Sequence, residues 1–286
     1  MESLAQRTLA RPNSTLHGSR SIFKTAIPKC STKKLVKYRA QAAEDGFDVS
    51  GSVVQPSFRS SPLDLEESMV DSDKVRILFV GECNVCRSVL AEAFMKQLIE
   101  ECGLTEFVEC ESKGTRDYND GDLVDSTVGE VAKDMFVVLP EGFRARQMNE
   151  ERDIVEFDLH LVMDKFTAAD VLREVSVFDT ILKGKGYSRK VRRLGEFHPQ
   201  LKQVTDPDGQ DIDDPLYGNP GSDKEMEAVR KVATVIQSAC LGLIQFLQEV
   251  QGEAKNDPKA FKAILRSRIQ SMEGIDWLVP PMLQSQ

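Results

Sequence analysis

The sequence predicts an α/β fold: a doubly wound, four-stranded parallel sheet with helices on both faces. Two observations predict it. Short, largely apolar runs such as Val75–Val80 and Leu159–Met163 have the length and composition of buried parallel strands. Longer segments, apolar at three- and four-residue spacing, separate them, as crossover helices must in a parallel sheet.

Val75–Val80 is the first strand. The helix after it carries Leu90, Ala91, Phe94, Met95, Leu98 and Ile99 on one face. Ser88 is placed to cap its start, and Gly103 ends it. Phe107–Cys110 reads as the second strand. Ser126–Met135 is a short helix with Val128, Val131 and Met135 inward. Leu159–Met163 is the third strand, and Asp164 caps a helix from Thr167 to Val175. Val191–Phe197 is the fourth strand. Ser222–Glu249 is a long helix in which Val229, Val232, Ile236, Ala239, Leu243 and Leu247 keep helical spacing. No internal repeat is visible.

Around this alternation the chain divides by composition. Residues 1–43 hold nine Lys or Arg against one acid, Glu2, a net +8; the whole chain carries −9, so the remainder carries −17. This leader is rich in hydroxyls (Ser14, Thr15, Ser19, Ser21, Ser31, Thr32) and lacks the apolar core of a secretory signal. A basic, hydroxyl-rich, acid-poor leader reads as a plastid transit peptide, processed near Val36–Ala40, and the expected location is the chloroplast stroma. The competing reading is a basic arm that stays on the protein and binds nucleic acid or acidic partners. Residues 44–73 form an acidic linker with Pro56, Pro62 and several Gly and Ser, where disorder is expected. The folded domain is expected over 74–250 and a helical extension over 251–286.

Six cysteines at irregular spacing in 286 residues are no secreted disulfide framework. Nothing in the sequence resembles a transmembrane span, the apolar runs being far short of ~20 residues. Cys102 and Cys110 do not make a second C-x-x-C, so no metal site is expected.

The chemistry concentrates in Gly81-Glu-Cys-Asn-Val-Cys-Arg-Ser88, between the first strand and its helix. Ligands of doubly wound sheets bind at the carboxyl ends of strands, where this loop lies. A turn packed on a helix start aims successive backbone N–H groups at one centre, and the helix dipole adds to it. Arg87 can fork onto two oxygens of an anion held there. Asn84 can bridge loop segments and hold a strained turn.

The loop resembles the phosphate-binding loop of the low-molecular-weight protein tyrosine phosphatases, V-C-x-G-N-x-C-R-S-P. Val80, Asn84, Cys86, Arg87 and Ser88 match in register, and Gly81 stands where that family has its nucleophilic cysteine. Ser112–Thr115 is similar to the family's S-A-G-T. Tyr118, Gly121 and Asp125 resemble its G-W-x-x-G-x-x-x-D, Arg144–Gln147 its S-R-Q segment, and Asp214–Asn219 its D-P-Y-Y-G-N. The resemblance covers roughly residues 75–250 and implies the fold of that family. It also implies roles. Residues Glu82, Cys83, Asn84, Val85, Cys86, Arg87 and Ser88 form the phosphate cradle. Arg87 is the clamp and Asp214 the general acid. Tyr118, Leu216 and Tyr217 wall the cleft. No metal or cofactor is needed, and phosphate or a phosphorylated protein is the partner.

Gly81 removes the thiolate of that mechanism. The expectation is therefore a catalytically degenerate member that binds phosphate, a phosphoprotein or a partner protein. The alternatives are an active tyrosine phosphatase and a thiol–disulfide switch through Cys83 and Cys86. Glu82 weakens anion binding if it points inward. Val89 replaces the family's Pro. Asp206 rivals Asp214 as acid, and His160 reads as a core residue. The apolar stripe Phe261, Ile264, Leu265, Ile269 and Met272, continued by Trp277–Leu283, is a possible protein-docking surface at 257–283. No nucleic-acid partner and no membrane span are expected.

Overall fold

A computed structural model describes residues 72–181, 186–204, 207–218, 221 and 223–272. The leader, nearly all of the linker, Asp206, and the segment from 273 onward lie outside the described residues. Four strands, β1 (Val75–Gly81), β2 (Val108–Gly114), β3 (Leu159–Val162) and β4 (Val191–Arg193), form one sheet in the order β2-β1-β3-β4. Every pairing is parallel, with Val75 beside Val108, Ile77 beside Leu159 and His160 beside Val191.

Six helices cover the two faces. They are α1 (Arg87–Glu101), α2 (Ser126–Asp134), α3 (Glu150–Glu156), α4 (Lys165–Ile181), α5 (Asp223–Ala254) and α6 (Pro258–Ser271). Alternate β1 residues divide between two cores. Val75, Ile77 and Phe79 pack with α1, α2, α5 and α6; Leu78 and Val80 pack with α3 and α4. This two-sided burial explains why β1 and β3, apart from Arg76 and His160, read as apolar runs instead of alternating ones.

Several expected boundaries move. The fourth strand stops at Arg193, because Leu194–Phe197 is a 3₁₀ turn. Its turn is fixed by Glu196, which accepts from the Arg193 amide at 2.9 Å. Gly195 lies so close to Gln210 that a Cβ there would collide with its carbonyl. The second strand starts at Val108 and runs on to Gly114, carrying polar residues at a sheet edge. Ser88 is not a cap: Cys86 holds that position and Ser88 lies inside α1. Helix α4 runs past Val175 to Ile181, and α3, capped by Asn149, was not expected.

Helix α5 crosses residue 250 without a break, and Val250 and Ala254 are buried in the same core. By length and composition it is the one described helix long and apolar enough to cross a membrane. Its Val229, Ala233, Ile236, Ala239, Cys240, Leu243 and Leu247 are nevertheless fully buried in the folded core. The docking surface expected at 257–283 is also corrected over its described part. Phe261, Leu265 and Ile269 bury against the domain itself, with Phe261 packed on Phe107. Asp158, 5% exposed, then binds α6 to the sheet. It accepts from the Arg76 amide at 3.0 Å and from Arg266 at 2.7 Å.

His160 is buried on β3, one ring nitrogen 3.1 Å from the Asp153 carbonyl and Nδ1 without a partner among the described residues. Burial, helped by Lys190 and Lys113, lowers its pKa to about 3. A histidine held neutral this way supports the fold fully above its unfolded pKa of about 6.5; that support is lost as pH falls toward the folded value. Between pH 7 and pH 5, His160 should cost about 2 kcal/mol of stability. Urea unfolding at both pH values, beside His160→Leu, checks this: the variant should show a correspondingly smaller loss. Equal losses in both proteins would show that His160 is protonated in the folded state.

Candidate functional site

The loop between β1 and α1 is built by turning its carbonyls outward. Gly81 accepts from the Thr115 amide and Glu82 from the Arg116 amide, each at 2.9 Å, and Val85 accepts from the Asp125 amide at 3.1 Å. Among the described residues, no backbone amide of residues 82–86 donates to a protein acceptor. Outward carbonyls and unused amides at a helix start are the geometry of an anion nest.

One residue holds this curve. Asn84 is 2% exposed and has φ +56°, a left-handed conformation that costs roughly 1–2 kcal/mol for a side-chain-bearing residue. Its amide nitrogen donates to Ser88 Oγ at 3.1 Å and to Ser112 Oγ at 2.9 Å. Its carbonyl accepts from the Arg146 amide at 3.0 Å. Three bonds of about 1 kcal/mol each outweigh the backbone cost. Ser112 in turn donates to buried Glu92 at 2.5 Å, and Lys96 meets that carboxylate at 2.6 Å. Gly114 lies under the loop, where a Cβ would stand 2.8 Å from the Glu82 carbonyl.

Arg87 is buried at the loop's end. It donates to Asp164 at 2.5 Å, to the Ile212 carbonyl at 2.7 Å and to Asp214 at 3.3 Å. Burial opposes its charge, but the two carboxylates more than offset this and hold its pKa above the ordinary value. Burial likewise opposes the Asp164 charge, but Arg87 and the Thr167 amide hold that carboxyl below its usual range. Asp214 also accepts from the Leu216 amide at 3.0 Å, which fixes its turn.

Hydrogen bonds thus tie the loop to Ser112 and Arg146 through Asn84 and to Asp164 and Asp214 through Arg87. Glu82 is exposed, Val85 half-buried and Cys86 buried. Tyr118 and Tyr217 stand on the loops after β2 and β4, 71% and 77% exposed, while half-buried Leu216 packs on the core. Asp164 as a partner of Arg87, and Glu92 beneath Ser112, were not read from the sequence. A signal for Glu92 existed: a lone acid inside the apolar run Val89–Met95.

The low molecular weight phosphotyrosine protein phosphatase family matches residues 76–256. The chain belongs to this family. A Synechocystis sp. relative described as a low molecular weight protein-tyrosine-phosphatase is 29% identical over 181 residues, covering 60% of this chain and 96% of its own. The human low molecular weight phosphotyrosine protein phosphatase is 29% identical over 161 residues, covering 56% of this chain and 90% of its own. A crystal structure of the Entamoeba histolytica protein tyrosine phosphatase, with Hepes in its active site, superposes with a TM-score of 0.49 at 28% identity. It covers 62% of this chain and 98% of that one.

The thiols of this family member are poorly placed for thiolate chemistry. Burial first, then Glu82 and Asp214, push Cys83 up to about 11 against the pull of Arg87 and Arg116. Burial, with Asp214 next, raises Cys86 further. Only thiolate attacks disulfides or electrophiles, so both should be inert near neutrality. Cys83 is expected to react with iodoacetamide at pH 7.5 at least roughly tenfold more slowly than free cysteine. Mass spectrometry of the alkylated protein measures it. A rate matching or exceeding free cysteine would restore the redox reading.

Proposed function

We propose that this chain is a catalytically degenerate member of its family that binds phosphate or a phosphorylated protein in the β1–α1 loop. The observation that carries the reading is the loop itself. It presents unused amides and buried Arg87 to an oxyanion, while the residue at the nucleophile's position is Gly81. A Cβ at position 81 would stand 3.0 Å from Ser88 Oγ. The position therefore faces the loop floor, and glycine leaves nothing there to attack phosphorus. Cys83 and Cys86 do not replace it, since both are held as thiols. Asp214 retains the place of the general acid but is ion-paired to Arg87.

Purified protein lacking residues 1–43 is expected to hydrolyse aryl phosphate and phosphotyrosine peptide at the uncatalysed rate, yet to bind inorganic phosphate in calorimetry. Arg87→Ala should weaken that binding about 10- to 150-fold, the worth of a charge-assisted hydrogen bond of roughly 1.5–3 kcal/mol. Arg87→Lys keeps the charge without the fork and should fall between. Gly81→Cys is expected to restore slow turnover once Ser88 moves by a few tenths of an ångström. Robust turnover by the unsubstituted protein, abolished in Cys83→Ser, would overturn the degenerate reading. Failure to bind phosphate at all would overturn the ligand.

We further propose a chloroplast location, supported by the +8, hydroxyl-rich leader ahead of a −17 body. Residues 1–45 fused to a fluorescent protein should enter plastids. Retention in the cytosol or nucleus would overturn it in favour of the basic arm.

A further inference from the structure

An anion nest is ordinarily flanked by cations; this loop carries the exposed Glu82, and its one arginine, Arg87, is held by Asp164 and Asp214. Glu82 is the second residue of the loop, exposed, and its carboxylate makes no hydrogen bond or ion pair among the described residues. Asp213, exposed beside Asp214, is unpaired in the same sense. The cations are already engaged. Arg87 holds Asp164 and Asp214, and Arg116 meets Asp170 at 2.7 Å. Glu82 and Asp213 are therefore left unneutralised by side chains at the loop, and, after burial, Glu82 with Asp214 raises the Cys83 pKa against the pull of Arg87 and Arg116.

A bare phosphate dianion meets conflicting demands in such a site. The amides attract it at short range, while unscreened carboxylates oppose its approach. A ligand resolves the conflict when its phosphoryl group enters the nest and positive groups beside it face the rim. Two exposed rings, Tyr118 and Tyr217, on the loops that follow β2 and β4, offer faces on which guanidinium or ammonium groups can stack.

We propose that this site selects phosphorylated residues lying within basic peptide segments, with Glu82 as the residue that reads the flanking charge. This rests on the oxyanion-binding reading above and adds the identity of the carrier. Glu82 acts through its charge on the approaching ligand and leaves the nest geometry to Asn84.

The test uses the protein without residues 1–43 and four probes: inorganic phosphate, two phosphotyrosine peptides of equal length flanked by Lys/Arg or by Asp/Glu, and the unphosphorylated basic peptide. The basic phosphopeptide is expected to bind at least tenfold tighter than the acidic one and than its unphosphorylated form. Glu82→Gln should bring the two phosphopeptides within about threefold, mainly by strengthening the acidic one. Glu106→Gln, an exposed acid in the turn ahead of β2 at the opposite end of the sheet, should leave the discrimination unchanged. Equal affinities for the two phosphopeptides, with phosphate still bound, would overturn the selectivity and leave the oxyanion site standing. So would an equal effect of Glu106→Gln, which would assign the preference to overall charge. Loss of phosphate and of both phosphopeptides would instead overturn the oxyanion site itself.

Discussion

The left-handed backbone of Asn84 is the constraint on which the site depends. A loop that turns its Gly81, Glu82 and Val85 carbonyls outward reverses its curvature between them, and Asn84 is that point. The conformation persists because three chain segments agree on it: Ser88 from α1, Ser112 from β2 and the Arg146 amide from the loop before α3. None of those bonds involves position 81. The shape of the cradle therefore does not depend on the side chain at position 81. Glu92 extends the hold into the core. A carboxylate that is 4% exposed would be costly alone, but Ser112 and Lys96 satisfy it from opposite sides.

Arg87 has a divided allegiance. Its guanidinium is satisfied by Asp164, by the Ile212 carbonyl and, at longer range, by Asp214. Asp164 is anchored as the cap of α4, where it accepts from the Thr167 amide at 2.7 Å. Asp214, by contrast, is 37% exposed and sits in a short turn, so it is the contact an incoming oxyanion can displace. An oxyanion bound there would take over the Asp214 contact on Arg87 and add the unused backbone amides of the loop.

The sheet, its two covered faces and the position of the loop were legible because each rests on a local pattern. Continuous apolar runs mark strands buried on both sides, and the small and polar residues after Val80 mark a turn into a helix. What was not legible depends on partners distant in the chain. Val191–Phe197 has the composition of a strand to its end, and only the approach of Gln210 at Gly195 and the grip of Glu196 bend it into a turn. Ser88 looks like a cap because Ser ahead of an apolar run is a good one; Asn84 claims its hydroxyl instead. The stripe on α6 declared an apolar face but not its destination. That was decided by Phe107 and Asp158, residues far upstream. Asp164 could be read as a helix cap, but its second role on Arg87 spans 77 residues.

The attachment of α6 also sets an order of events. Lys262 donates to the carbonyl of Lys74, 188 residues earlier, and Arg266 closes on Asp158 beside the start of β1. The margin of the first strand therefore has no cover until nearly the whole domain has left the ribosome. The cover over Val75 and Phe107 is thus supplied from the far end of the described domain, by the last helix of it to be translated.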